Sequence, residues 1–218
     1  FGQSFTFYWR SYFKGMFFNQ GLPTSIGGDA IRVLDVAGRG FRKRDALYGV
    51  AIDRIAGLAA LILLTLVANA VSTSLLPVPV YRLMLLLTML GLLGIASLFV
   101  LKRLSWFDRY PQLAFVKAIS DHLSLAFVHS RFMLFVLSLL VPVFAMLGFY
   151  ATGWALGLRF HMMTYFAIVP PALVLTIIPA SIAGWGVREG ALVGLFSLMG
   201  ADKTIVLMMS LLYGITLI

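Results

Sequence analysis

The chain has 218 residues, of which 61% are hydrophobic and 11% charged, and its mean hydropathy is +0.98. This composition excludes a soluble domain and indicates an integral membrane protein. The net charge is +9, but the basic residues cluster at the ends of apolar runs, which indicates cytoplasmic loops beside anionic lipid and excludes a nucleic-acid surface. The absence of cysteine excludes disulfides and thiolate metal sites.

The first predicted helix, residues 4–19, is rich in aromatic residues and is expected near the membrane interface. Segment 33–46 ends in a run of basic residues, which predicts a cytoplasmic loop. An outer loop is predicted at 76–79 because it contains two prolines. The apolar runs that reach the length of a bilayer span are 47–69, 81–101 and 132–157.

Residues 104–131 alternate charged and apolar side chains, which predicts an amphipathic helix on the cytoplasmic face, with Lys117 and Asp121 as an i,i+4 pair. Residues 162–178 are expected to re-enter the membrane, broken by Pro170-Pro171 and stopped by Pro179. Further apolar helices are predicted at 190–200 and 204–218, and whether 190–200 crosses or turns back stays open. We expect one transmembrane domain, 1–218, cut at both ends.

Two segments of the chain are alike and both interrupt apolar sequence. Residues 23–32 read PTSIGGDAIR and residues 179–188 read PASIAGWGVR, and they share Pro, Ser, Ile, Gly and Arg at equivalent positions. The first lies next to the cytoplasmic basic loop, whereas the second is reached from the outer side after three crossings. The pair therefore predicts two broken, re-entrant elements in an inverted-topology pseudo-repeat within an all-α polytopic helical bundle.

The residue types in these segments are suited to binding an anion. Proline ends a helix, glycine permits a turn, and a new half-helix would begin with free N–H groups and a partial positive charge. Arg32 and Arg188 are expected within about one turn of those ends, where they would complete a phosphate site. Asp29 is expected to cap the first half-helix. Arg188 and Glu189 could equally be a structural ion pair, and Arg54 could simply extend to the interface.

The predicted lipid site combines these arginines with nearby acids, hydroxyls and glycines. Ser25 and Ser181 could instead satisfy broken backbone. The assigned residues are Arg32, Arg188, Asp29, Glu189, Asp53, Arg54, Ser25, Ser181, Gly28, Gly184 and Trp185. No catalytic constellation, nucleotide-binding loop or cofactor motif is found, and the histidines at 122, 129 and 161 lack metal-ligand spacing.

Three ordered segments resemble a known family: residues 17–32, Asp53-Arg54 followed by an apolar span, and residues 179–191. They are similar to the flippase-like membrane region of lysylphosphatidylglycerol synthases, which stand-alone bacterial and archaeal membrane proteins share. The resemblance implies a multi-pass protein of the bacterial inner membrane that moves a lipid between leaflets. Trp185 departs from the smaller residue that is usual in the family and would narrow the cavity. The aminoacyl-transferring synthetase domain lies outside these residues.

The predicted function is a lipid flippase-like transporter for an anionic or aminoacylated phospholipid, with lipid head groups as its partners. An alternative is the membrane-embedded part of a lipid-modifying enzyme that transfers an aminoacyl or glycosyl group, joined to a synthetase domain. A third possibility is a structural subunit that docks through residues 104–131. The sequence also leaves homo-oligomerisation open.

Overall fold

The computed structural model describes residues 3–21, 26–71, 76–101, 131–176 and 184–216. These ranges contain eight α-helices and no β-strand, which confirms the all-helical class of membrane protein. In chain order the helices are α1 (Phe5–Gly21), α2 (Ile26–Ala37), α3 (Lys43–Val71), α4 (Val78–Leu101), α5 (Arg131–Ala155), α6 (Met162–Leu175), α7 (Val187–Ser197) and α8 (Lys203–Ile215).

Three helices are long and apolar enough to cross a membrane, which confirms the predicted spans. They comprise Lys43–Val71, Val78–Ser97 within α4 and Phe135–Ala155 within α5. The 29 residues of α3 extend about 43 Å at 1.5 Å per residue, more than the hydrocarbon thickness of a bilayer. Large apolar side chains of α4 such as Leu86 and Leu93 are exposed, as expected where lipid takes the place of water.

The predicted break at Pro170-Pro171 is wrong. Helix α6 continues through both prolines from Met162 to Leu175. Each proline removes one backbone donor, but its fixed φ suits a helix, and both prolines are buried in a tightly packed segment. Surrounding protein therefore holds the helix together, as it does around Pro142 inside α5. Pro179 and the predicted amphipathic helix up to residue 130 lie outside the described residues.

Helices α1 and α2 pack against each other as an antiparallel pair. Lys14 Nζ lies 3.3 Å from Asp35 Oδ2, and the Arg39 guanidinium lies 4.9 Å from the Phe7 ring centroid. These contacts fix the register of the pair towards the end where α2 meets the basic turn. The outward face of α1 carries an exposed aromatic row at i,i+4 spacing, comprising Phe5, Trp9 and Phe13.

Helices α7 and α8 also pack together, around a core of side chains that are completely buried: Leu192, Phe196, Val206 and Met209. The turn between them contains Gly200 at φ +80°, and Asp202 caps α8 by accepting a hydrogen bond from the Ile205 N–H at 3.0 Å. The 11 residues of α7 extend about 16 Å. Helix α7 alone is therefore too short to complete a membrane crossing.

The chain divides into two compact units. The first comprises Phe1–Val50, Ala151–Arg159 and Ala172–Ile218, and so includes both similar segments. The second comprises Ala51–Tyr150 and Phe160–Pro171. Its core contains Phe149 and Tyr165, both completely buried, and the Tyr165 ring meets Tyr150 edge-on at 5.4 Å. Hydrophobic driving force between helices is small in lipid, so such packing contacts are what stabilise each unit.

Candidate functional site

The described end of the second similar segment, residues 184–188, is a tight turn that enters α7. Gly184 and Gly186 have φ of +80° and +85°, in the left-handed region that residues other than glycine rarely adopt. Gly184 is also packed closely, because a Cβ there would lie 3.1 Å from Thr176 Cβ. Helix α7 begins at Val187, directly after the second glycine, so Arg188 is its second residue. The glycines thereby hold Arg188 and Glu189 at the start of the helix.

Arg188 and Glu189 form a buried ion pair at this helix start, each only 6% exposed. Nε and Nη2 of Arg188 donate to Glu189 Oε1 at 2.9 and 2.7 Å. The other carboxylate oxygen, Oε2, accepts from the Gly186 N–H at 2.6 Å and so satisfies a backbone donor that has no partner within the helix. The carboxylate balances the guanidinium charge and also anchors the turn.

Helix α8 completes the surroundings of the pair. Ser210 Oγ donates to Glu189 Oε1 at 2.9 Å and accepts from Arg188 Nε at 3.1 Å, while the Ser210 carbonyl accepts from Nη2 at 3.3 Å. The Trp185 ring lies against the guanidinium, with 4.9 Å from Cζ to its centroid. At Gly214 a Cβ would collide with Arg188 Nη2 and lie 2.7 Å from Trp185 Cη2. Arg188 is thus enclosed by its own turn and by α8.

The first similar segment has a different local conformation. Helix α2 begins at Ile26, so Gly28 is helical, and it packs against α1 instead of forming a turn. The Gly28 N–H donates to Asn19 Oδ1 of α1 at 2.8 Å. A Cβ at Gly28 would collide with the carbonyl oxygen of Gly15, which places the two backbones in direct contact. Gly28 and Gly184 are equivalent in sequence, but one permits close helix packing and the other permits a turn.

Arg32 is consequently more open than Arg188. It lies in the second turn of α2, not in the first turn as predicted, because the helix begins earlier than the glycines suggested. Asp29 is inside the first turn, so its predicted role as the helix cap is wrong. Arg32 Nη1 lies 3.4 Å from Asp29 Oδ1, and the two side chains are 20% and 17% exposed. The Tyr12 ring of α1 lies 5.1 Å from the Arg32 guanidinium.

The whole chain fits one family of membrane proteins. The sequence model described as the lysylphosphatidylglycerol synthase TM region matches residues 2–218. The chain belongs to this family. No curated protein and no solved structure matches the chain significantly. Membership of the lysylphosphatidylglycerol synthase transmembrane family indicates a role connected with membrane lipids and confirms the resemblance carried by the three segments.

Of the remaining residues predicted for the lipid site, two belong to the other compact unit and two lie outside the described residues. Asp53 and Arg54 are exposed on the third turn of α3 and belong to the second compact unit, whereas both similar segments belong to the first. Ser25 and Ser181 lie outside the described residues. Over the ranges that are described, no group of three or more His, Cys, Asp or Glu side chains could hold a metal ion.

Sequence reasoning missed Tyr12, Ser210 and Gly214, which contact or enclose the arginines of the two segments. Ser210 and Gly214 could have been found from the sequence, because two small residues at i,i+4 spacing in an apolar helix are typical of a close contact between membrane helices. Tyr12 had none, since it is one of many aromatic residues in α1. Only the packing of α1 on α2 selects it.

Proposed function

We propose that this protein is a flippase-like transporter that moves an anionic or aminoacylated phospholipid between membrane leaflets, and that Arg32 contacts the lipid phosphate. The observation that carries the proposal is the pair of guanidinium groups within one compact unit, each held by an acid and an aromatic ring. Charged groups in apolar surroundings are costly, so a pair of them favours a substrate role. Membership of a lipid-related family supports the same function.

Arg32 is the better candidate for first contact with a phosphate. Its 3.4 Å separation from Asp29 is longer than a strong charge-assisted bond, and its side chain keeps 20% of its exposure. A phosphate oxygen can therefore approach the guanidinium without removing Asp29. The Tyr12 ring supports one side of the guanidinium and restricts its orientation, which lowers the entropy lost when the phosphate binds.

Arg188, the equivalent arginine of the second similar segment, is enclosed by protein and in this proposal binds the phosphate only after a conformational change. Its hydrogen bonds to Glu189 are short, at 2.7 and 2.9 Å, and a phosphate would have to displace Glu189 before Arg188 could bind it. We therefore assign Arg188 to a state in which the α7–α8 pair has opened. Lipid transfer would alternate between such states as the two similar segments rock, with Asp29, Asp53 or Glu189 meeting a cationic or hydroxyl-bearing head group.

The short helices support this arrangement. Helix α7 is too short to span a bilayer, and so is the 12-residue α2, which extends about 18 Å. Both proposed phosphate contacts are thus carried by helices that are too short to span a bilayer. Re-entrant elements of this kind would leave polar groups at membrane depth where a head group must pass, which is tolerated only beside a cavity.

A translocation assay in proteoliposomes tests the proposal. Phosphatidylglycerol labelled on one acyl chain is followed by chemical reduction of the label in the outer leaflet. We expect wild-type protein to translocate it and Arg32→Gln to slow translocation by roughly 10- to 100-fold, since a hydrogen bond to a charged group contributes about 1.5–3 kcal/mol. Arg42→Gln is the matched control, because Arg42 is an exposed arginine in the basic turn before α3.

Translocation by Arg32→Gln at the wild-type rate would reject the phosphate contact. Loss of activity in both variants would instead indicate a general requirement for positive charge. If folded wild-type protein accelerates no phospholipid above the rate of protein-free vesicles, the transport function itself is wrong.

A further inference from the structure

A polar layer inside the second compact unit is unrelated to the two similar segments. Helices α3 and α4 are in contact where a Cβ added to Gly91 would lie 2.6 Å from Ile62 Cδ1. Residues spaced by seven, two helical turns, return to the same face of a helix. Asn69 follows Ile62 by seven residues in α3, and Met84 precedes Gly91 by seven residues in α4. Because consecutive spans run antiparallel, this spacing places Asn69 and Met84 at the same level of the α3–α4 pair. Counted from the same contact, three residues further along α3 and three residues earlier in α4, the spacing places Thr65 and Thr88 at a level between that contact and the level of Asn69 and Met84.

These four side chains are enclosed by protein. Asn69 and Met84 are 1% and 0% exposed, and Thr65 and Thr88 are 2% and 3% exposed. The two threonine hydroxyls donate to the carbonyls of the preceding turn, at Leu61 and Met84. Each hydroxyl oxygen keeps lone pairs that can accept a further hydrogen bond. The layer therefore offers acceptors but has its hydroxyl donors occupied.

Asn69 is the unusual member of the layer. Both polar atoms of its amide, Nδ2 and Oδ1, are buried and make no hydrogen bond to any residue that the structure describes. Apart from Thr65, it is the only polar side chain in the apolar segment 55–71. An amide that loses water without gaining a partner destabilises the fold, and in a membrane no bulk water compensates. The fold thus retains a buried amide whose donor and acceptor are suited to a small polar ligand.

We propose that Asn69 binds a buried water molecule between α3 and α4, with the hydroxyl oxygens of Thr65 and Thr88 as further acceptors. A buried water typically makes about three hydrogen bonds to such groups, and this layer supplies both a donor and acceptors for it. The enclosure of Asn69 excludes a larger ligand such as a lipid head group. At this polar layer the water links α3 and α4 by hydrogen bonds. This site does not depend on the proposed transport function.

Radiolytic hydroxyl labelling with mass spectrometry tests the site in the full chain, in lipid nanodiscs. A synchrotron pulse makes radicals from bound water, and these oxidise the nearest reactive side chain. Met84 is a built-in reporter because it is completely buried and lies at the level of Asn69. Met146 is the internal control, since it is also completely buried in the same unit. We expect Met84 to be oxidised several-fold faster than Met146.

The variant Asn69→Leu keeps the branching of the side chain, removes the amide and fills its space with methyl groups, so we expect oxidation of Met84 to fall to the level of Met146. Equal oxidation of Met84 and Met146 in wild-type protein would overturn the proposal, and this comparison requires no variant to fold. Faster oxidation of Met84 that persists in Asn69→Leu would also overturn it, because the radicals would then come from transient opening of the helices.

Discussion

Gly214 provides the sharpest test of the enclosed arginine. In Gly214→Ala the new Cβ would lie 2.7 Å from Trp185 Cη2 and closer still to Arg188 Nη2. Carbon atoms pack at about 3.5–4.0 Å, so the Trp185 ring would have to retreat by about 1 Å. The guanidinium would also have to give up its present position against Ser210. The substitution therefore disturbs the ion-pair cluster from α8 without altering any of its charged groups.

The expected destabilisation is the sum of two costs less one gain. Overpacking a well-filled site costs about 1–3 kcal/mol, and weakening a hydrogen bond from a charged donor adds about 1.5–3 kcal/mol. Alanine in a helix recovers up to about 1 kcal/mol relative to glycine. The net loss of about 1.5–5 kcal/mol lowers the melting temperature by roughly 3–20 °C for a chain of this size.

Thermal unfolding in detergent micelles measures this effect. Gly194→Ala is the matched control, because Gly194 lies in α7 and a Cβ there meets no described heavy atom within 4 Å. The control is expected to melt at or slightly above the wild-type temperature. If Gly214→Ala melts together with Gly194→Ala, the close contact between α8 and Arg188 is absent from the folded protein and the reasoning is refuted.

Three further outcomes are expected. Arg188→Met should lower the free energy of unfolding by about 3–5 kcal/mol, and Glu189→Gln should lower it by about 1–3 kcal/mol. In a double-mutant cycle measured by denaturant titration, the double variant should lose less than the sum of these two costs. Additive costs would argue against a direct pair. Gly28→Ala should lower the melting temperature because its Cβ collides with the backbone of α1, whereas Gly57→Ala, in open space on α3, should not. Lys14→Gln should change the free energy of unfolding by less than about 1 kcal/mol, because the Lys14 side chain in the ion pair with Asp35 is exposed. A larger loss would show that the pair is shielded from solvent.

The long spans could be predicted from sequence because they depend on a single property. Continuous apolar character over the length of a bilayer specifies α3, α4 and α5 almost independently of what surrounds them. Prolines are less informative, as Pro170 and Pro171 show. A rule derived from isolated helices predicts a break there, but a buried segment keeps its helix because neighbouring side chains contribute more than two lost hydrogen bonds.

The candidate site could be predicted only in part for a related reason. The sequence identified Arg188 and Glu189 as possible partners because they are adjacent, and the structure places them in a buried pair. It could not distinguish the two glycine-containing segments, since glycine permits both a turn and close packing. Which of these occurs at Gly28 or Gly184 depends on contacts from α1 and from Thr176, which lie elsewhere in the chain.

The two arginines obtain the same kinds of neighbour from different positions. Three residues before each arginine, Asp29 supplies the acid to Arg32 and Trp185 supplies the ring to Arg188. The second neighbour of each arginine comes from another position: Tyr12 supplies the ring to Arg32, and Glu189 supplies the acid to Arg188. A chimaera with the two segments exchanged would therefore give one arginine two rings and the other two carboxylates. Each segment therefore matches the contacts of its own neighbourhood, and a change of residue type at position 29 or 185 would have to be matched by a change among those contacts.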